Sequence, residues 1–168
     1  KEASRCDYSS LRACRTGAAS LPVSIKEAFD ALAQKEVLVE GYGLTETSPL
    51  CLANPIDCPK AGSIGIPLTD TDAKVVDIET GEEVPAHKEG ELLVRGPQIM
   101  KGYLNNPEAT GQAIKDGWFR TGDVVLMDDE GRFTMVDRIK DFINASGFKV
   151  WPREIEEVIY TYPGVKLA

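Results

Sequence analysis

Three short stretches of the sequence gather side chains able to bind or polarise a ligand. "GYGLTET", Gly41 to Thr47, sets two glycines, an aromatic ring, two hydroxyls and a carboxylate directly after the apolar run "KEVLVE". "GWFRTGD" ends on Asp123 behind an aromatic pair, Trp118 and Phe119, and "DRIKD" places Arg138 and Lys140 among carboxylates. Hydroxyls donate or accept, carboxylates accept or hold hard cations, and glycines admit close approach to the main chain. Taken singly, each stretch is equally a polar turn, because short motifs match by chance.

Composition narrows the chemistry. The chain has 168 residues, 42% of them hydrophobic and 27% charged, as in an ordinary soluble domain. Its net charge of -8 and its short apolar runs exclude a transmembrane helix and a broad basic face for nucleic acid. Any anion site is therefore local. Cys6, Cys14, Cys51 and Cys58 form no C-x-x-C pair and have no histidine nearby, which favours reduced thiols over a zinc site or a disulfide framework and fits a cytoplasmic protein. The sole histidine, His87 in "EVPAHKEGE", reads as a solvated loop residue. Lys1 to Arg15 lacks the apolar centre of a secretory signal.

Three regimes position these residues. "LRACRTGAASLPVSIKEAFDALAQ" predicts a strand, a glycine turn and a helix, with Ser20 as a candidate cap and Pro22 at the first helical position. Ile25, Ala28, Phe29, Leu32 and Ala33 recur at helical spacing as a stripe for a core, and Val37 to Val39 suit a strand buried on both faces. From Ser63 the pattern becomes short β segments between turns, which predicts a small antiparallel barrel or sandwich. A last helix opens at Pro152, carries Ile155, Val158, Ile159 and Tyr162 on one face, and closes at Pro163 and Gly164. The class is α+β. The first and last units are too small to bury cores of their own, so the chain is expected to be part of a longer protein. The face formed by Val37 to Val39 and the helix stripe is then expected to be exposed and to drive self-association.

"TGAASLP", "GYGLTET", "GWFRTGD" and "DRIKDFINASGFKVWPREIE", in this order and at these spacings, resemble the AMP-forming adenylating enzymes: acyl-CoA synthetases, luciferases and nonribosomal adenylation domains. The resemblance covers nearly the whole chain. "GSIGIP", "GELLVRGPQIMKGYLNNPEAT" and "SGFKVWPREIEEVI" are most similar to prokaryotic medium- or long-chain fatty-acid CoA ligases, with aromatic-acid CoA ligases next. The resemblance implies an ATP- and magnesium-dependent conversion of a small carboxylic acid to an acyl adenylate, then to a thioester of coenzyme A. It also implies three parts: the end of an α/β nucleotide-binding subdomain at 1–50, a β-rich barrel-like subdomain at 51–138, and a hinge with the start of a C-terminal lid domain at 139–168.

Residue roles carry over by the same resemblance. Gly17, Ala18 and Ala19 line the adenine, with Ala18 standing where many relatives have a second glycine. Tyr42 offers a face for adenine, Gly41 and Gly43 admit the nucleotide and acyl group, Thr45 donates to the α-phosphate, and Glu46 is the magnesium ligand. Asp123 accepts from the ribose hydroxyls, with Arg138 near ribose and phosphate. Met135 either touches the nucleoside or is a core methionine. Lys140 is the pivot between large and small domains, and Ser146, Gly147, Phe148 and Lys149 flank the coenzyme A channel. The loop that holds the outer phosphates in relatives precedes "TGAASLP", and the lysine that assists adenylation follows Ala168. Two other readings stay open here: a module that passes its acyl group to a carrier protein, and a noncatalytic ligand-binding relative. Peripheral membrane contact is compatible with a fatty substrate.

Overall fold

Strands with buried apolar residues organise the chain around two sheets. The computed structural model describes residues 6–19, 21–141, 143–145, 148–160, 162 and 164–165, so Ser20, Ser146, Gly147 and Pro163 lie outside the described residues. β1 (Cys14–Thr16) and β2 (Leu38–Tyr42) run parallel, Cys14 opposite Leu38 and Thr16 opposite Glu40, with α1 (Val23–Ala33) as the crossover that parallel pairing requires. β3 (Leu52–Ala53) and β4 (Ile66–Pro67) add antiparallel strands, giving the order β1-β2-β3-β4. This first sheet therefore continues to Pro67.

α1 departs from the expected packing in two ways. Pro22 is the residue before the helix, with φ -59°, and Val23 is the first helical residue. Of the apolar stripe only Ala33 is buried; Ile25 and Ala28 are exposed, and Phe29 and Leu32 half-buried. The helix instead buries Lys26 and Asp30. Asp30 Oδ1 accepts from the main-chain N–H groups of Val37 and Leu38, both at 2.9 Å, and Oδ2 accepts from Lys26 Nζ at 2.5 Å. One carboxylate thus satisfies the first donors of β2 and fixes the helix against the strand. Val37, Leu38 and Val39 are correspondingly buried, so they form no part of an exposed apolar face, contrary to the sequence expectation.

The second sheet is antiparallel, as predicted. It contains β5 (Asp72–Val76), β6 (Gly90–Arg95), β7 (Ile114–Lys115), β8 (Trp118–Met127) and β9 (Phe133–Arg138). β8 is central: β6 pairs along one edge, and β7 and then β9 share the other. Alternation along β8 separates the aromatic pair. Phe119 enters the core, whereas the Trp118 ring is met by the Lys74 and Arg95 cations, 4.5 and 4.6 Å from its centre. The two sheets meet at Phe133, whose main chain accepts from Ile64 and donates to Gly65, both at 2.9 Å, and which also accepts from Ser63 Oγ at 2.8 Å. Around that junction Cys51, Leu52, Leu92, Val94 and Val125 form a common core.

Sequence periodicity did not reveal α2 (Pro107–Ala113), although its start carries a local signal. Asn106 accepts from Ala109 N at 3.0 Å through its side chain, and Pro107 occupies the first turn. Near the C-terminus, β10 (Ile143–Ala145) and β11 (Phe148–Val150) form an antiparallel pair, followed by α3 (Pro152–Tyr160). The Trp151 indole donates to Glu89, anchoring this segment to the turn before β6. Ile155, Val158, Ile159 and Tyr162 are exposed, as are Val23 and Ile25 of α1. His87 is solvent-facing and sits 3.0 Å from Asp129. No disulfide joins the four cysteines; burial pushes the thiol of Cys51 up to about 11.

Burial by itself raises the Asp30 carboxyl, but the bonds from Lys26, Leu38 and Val37 together hold it below its ordinary value of 3.8. A depressed folded-state value contributes stability that is present above pH 3.8 and lost as pH falls through the folded value. Asp30→Ala in the complete protein is expected to lower unfolding free energy by about 3 kcal/mol at neutral pH, since it strands Lys26 and two strand donors. The difference from wild type should shrink in acid, measured by denaturant titration at pH 7 and below pH 3.8; a constant difference refutes the assignment.

Candidate functional site

The two sheets and α3 line an open cleft of about 690 Å³, within the ordinary range for a small-molecule site. Its wall brings together Ala18, Ala19, Gly41, Tyr42, Gly43, Asp123 and Arg138, residues separated by up to 120 positions in sequence. Met135 joins them while also packing on the core. Thr45 and Glu46 lie just past Leu44, outside the wall, and Gly17 stands beside Ala18. Lys140 is exposed in the turn after β9, between the wall residues Arg138 and Asp141. Phe148 and Lys149 are on β11, but their side chains, together with Ser146 and Gly147, lie outside the described residues.

Asp123 is the centre of the wall. It is only 2% exposed, although it ends a polar motif. Its Oδ2 accepts from the Tyr42 hydroxyl at 2.5 Å, and its Oδ1 lies 3.3 Å from Arg138 Nε. Burial raises the Asp123 carboxyl above its ordinary value; the Tyr42 bond and Arg138 oppose that rise, whereas Asp141 and Glu91 reinforce it. Burial likewise pushes the Tyr42 phenol far upward, with the Asp123 charge adding to it, so the hydroxyl stays a donor. Most of the Tyr42 ring belongs to the core, being 8% exposed, and its edge reaches the cavity.

The turn after β2 is built by different residues from those its motif draws attention to. A Cβ on Gly43 would stand 1.7 Å from the Pro49 carbonyl oxygen, so the missing side chain there serves the chain's own close approach. Buried Thr47, rather than Thr45, clamps the turn: its hydroxyl accepts from Leu44 N at 2.8 Å and lies within bonding distance of the Leu44 and Pro49 carbonyls. Thr45 is exposed, leaving its hydroxyl outward. Glu46 accepts through Oε1 from Tyr103 at 2.9 Å, and its carbonyl accepts from Met100 N at 2.8 Å. Tyr103 N in turn donates to Thr110 Oγ1 at 2.9 Å, so the capped start of α2 orients the Glu46 carboxylate. Sequence reasoning missed Tyr103, whose only signal was its place in "GYLNNPEAT".

The wall is acidic. Glu40, Asp137, Asp141 and Glu156 accompany Asp123, and Arg138 is the one basic residue among the described lining. Such a surface repels bare phosphates and suits neutral groups that donate, such as hydroxyls and amines. Ala18 adopts φ 71°, a left-handed conformation that costs a non-glycine residue about 1–2 kcal/mol, which explains why glycine suits this position. Among the described residues, no three histidine, cysteine or carboxylate groups converge to hold a metal by themselves. No helix among them is long and apolar enough to cross a membrane.

Residues 1–104 match the AMP-binding enzyme family. Over 161 residues the chain is 47% identical to a long-chain-fatty-acid–CoA ligase of Bacillus subtilis (strain 168), a match covering 95% of this chain and 29% of the relative. The crystal structure of ATP-bound MatB from Rhodopseudomonas palustris superposes with a TM-score of 0.87 at 37% identity, covering 93% of this chain and 31% of that one. The anthranilate CoA ligase AuaEII in complex with anthranoyl-AMP gives 0.86 at 29% identity, over 98% of this chain and 31% of that one. The chain thus spans about 29% of the length of the curated relatives it matches.

A buried carboxylate whose folded-state value is raised opposes folding above that value and ceases to do so as pH falls through it. Asp123→Asn in the complete protein, which keeps an acceptor for Tyr42, is therefore expected to melt at or above wild type at pH 8. The advantage should diminish towards pH 3.8, the ordinary carboxyl value, as the wild-type carboxyl takes up a proton. Scanning calorimetry at both pH values checks this; an Asn variant that melts well below wild type at pH 8 means that the carboxylate is held for stability.

Proposed function

The chain belongs to the AMP-binding enzyme family, and we propose that the complete protein activates a carboxylic acid with ATP to an acyl adenylate and then forms a thioester with coenzyme A. Fatty acids of medium or long chain are the proposed substrates, in keeping with the 47% identity to a long-chain-fatty-acid–CoA ligase. A cytoplasmic location, with peripheral membrane contact to collect a fatty acid, fits that substrate.

The observation that carries the reading is the nearly inaccessible Asp123 carboxylate on the cavity wall, held by Tyr42 and Arg138. Ribose supplies two adjacent hydroxyl donors, and a carboxylate shielded from water accepts from them more strongly than a neutral oxygen does. The surrounding acidic residues favour the nucleoside end of ATP at this wall. Ala18 and Ala19 present a small, flat surface for adenine beside it. The phosphates then extend past Leu44 toward Thr45, whose exposed hydroxyl is free to donate to the α-phosphate, and toward Arg138 at the rim.

Glu46 fits a magnesium ion as a single ligand. Magnesium is ordinarily held by one or two carboxylates plus substrate phosphates, so the lack of a three-ligand cluster among the described residues is compatible with it. Tyr103 engages only Oε1, and Oε2 remains to face the ion. When bound, the ion neutralises phosphate charge. The protein's own contribution is to align the acid with the α-phosphorus, hold the ribose and exclude water.

The division at 1–50, 51–138 and 139–168 is retained as part of this proposal, with Lys140 as the pivot. A ligand-biased change between two packed arrangements would let one active site serve both half-reactions. β11, with Phe148 and Lys149, is the proposed coenzyme A side. The exposed apolar residues of α1 and α3 are proposed contact surfaces, and self-association of the isolated segment follows from leaving them uncovered. Supplying the complete protein with ATP, coenzyme A and a panel of carboxylic acids tests the activity. AMP, pyrophosphate and a fatty-acyl thioester should appear in equal amounts; ATP consumption that does not depend on the acid refutes it.

Lys140→Pro separates the two steps. Proline fixes φ near -65° and constrains Ile139 before it, so one domain arrangement is favoured over the other. In single-turnover experiments on the complete protein, acyl-adenylate formation should persist while transfer to coenzyme A slows by at least about tenfold. Equal losses in both steps remove the pivot assignment.

A further inference from the structure

We propose that Glu91 is a positioning residue for Asp123, acting through a bulge in β8. This inference rests on the reading that Asp123 holds the ribose. Where β6 pairs with β8, Glu91 lies opposite Val124 and Leu93 opposite Arg120, so Thr121, Gly122 and Asp123 together face Leu92 alone. β8 therefore carries two extra residues at the point where it enters the cavity wall. Gly122 turns the main chain with φ 73°, a conformation that a side chain would strain.

Two side chains fill the bulge. Glu91 is 3% exposed; its Oε1 accepts from Gly122 N at 3.2 Å, and its Oε2 accepts from Arg120 Nη2. Thr121 Oγ1 donates to the Leu92 carbonyl at 2.8 Å and accepts from Asp123 N at 3.1 Å. The bulge thus has its own donors and acceptors matched, and its product is the direction of the next side chain, which meets Tyr42 and Arg138. Gly122 O also accepts from Ile139 N at 2.9 Å. The same two-residue insertion therefore sets both the wall carboxylate and the residue before Lys140.

Stability does not account for a charge in this place. A buried ion pair is often no more stabilising than apolar residues of the same volume, and its best-attested use is to fix one arrangement among several. Glu91→Gln keeps the size but turns an amide toward the Arg120 guanidinium, so the bulge loses the ion pair that holds it. Thr121→Val removes the hydroxyl bridge at nearly constant volume. Neither residue lines the cavity, so an effect on ligand selectivity must pass through Asp123 or through its partner Tyr42, whose hydroxyl Thr121 also meets.

The test compares ATP with 2′,3′-dideoxy-ATP, which lacks both ribose hydroxyls, by calorimetric titration of the complete protein. Wild type should bind ATP at least about tenfold more tightly than the dideoxy analogue, the value of one or more charge-assisted bonds. In Asp123→Ala this ratio should collapse toward one. Glu91→Gln and Thr121→Val should also lose most of the ratio while their affinity for the dideoxy analogue stays near that of wild type. A wild-type ratio near one, or an Asp123→Ala variant that keeps the ratio, overturns the ribose reading and the inference with it. If Asp123→Ala loses the ratio but Glu91→Gln and Thr121→Val keep it, Glu91 is structural only and the inference alone fails. Should Glu91→Gln not fold, Thr121→Val decides in the same way.

Discussion

The hydrogen bond from the Tyr42 hydroxyl to Asp123, 2.5 Å long and buried, spans 81 residues of sequence and ties the end of β2 to the middle of β8. Tyr42 terminates β2, which pairs with both β1 and β3, and β8 pairs with β6, β7 and β9. The bond consequently links the hub of one sheet to the hub of the other. It also sets a demand on the surroundings, since a carboxylate with 2% exposure is costly unless its oxygens are engaged. Tyr42 and Arg138 meet that demand from opposite sheets, and the cavity is the space left where the two sheets diverge beyond this contact.

Much of the wall was legible in the sequence because its motifs, in their order and spacing, resemble those of the adenylating enzymes. A carboxylate after two aromatic residues, and a tyrosine between glycines after an apolar strand, stand out against ordinary turn chemistry. Ala18, Ala19, Gly41, Tyr42, Gly43, Asp123 and Arg138 do converge on one cavity. The positions that set their geometry were not legible. Glu91 sits in "GELLVRG", where no motif singles it out, yet it is 3% exposed and accepts from Gly122 N and Arg120 across the bulge. Thr47 and Tyr103 act through single hydroxyls whose partners are distant or depend on turn geometry that no periodicity encodes.

α1 illustrates a different limit. Its apolar spacing is real, but spacing records a face that must be covered without saying what covers it. Within the described residues the covered face is the charged one, because Asp30 is needed by the two leading donors of β2, and Lys26 accompanies it. α3 repeats the pattern, with Ile155, Val158 and Ile159 facing outward. The antiparallel sheet raised less difficulty: its strands are bounded by turns and bury apolar residues against the core they share with β3, so local pattern and packing agree, although β8 runs unbroken from Trp118 to Met127.

The claim on which the account turns is that Tyr42 and Asp123 act as one unit in binding the nucleotide. A double-mutant cycle on the complete protein, with Tyr42→Phe, Asp123→Asn and the pair, each titrated with ATP, measures that coupling directly. Residues in direct contact commonly couple by roughly 0.5–3 kcal/mol, and the account predicts a value in this range, with the double variant binding ATP little worse than Asp123→Asn alone. Additive losses would contradict it, since they would mean that the tyrosine and the aspartate meet the nucleotide independently and that the bond between them plays no part in the site.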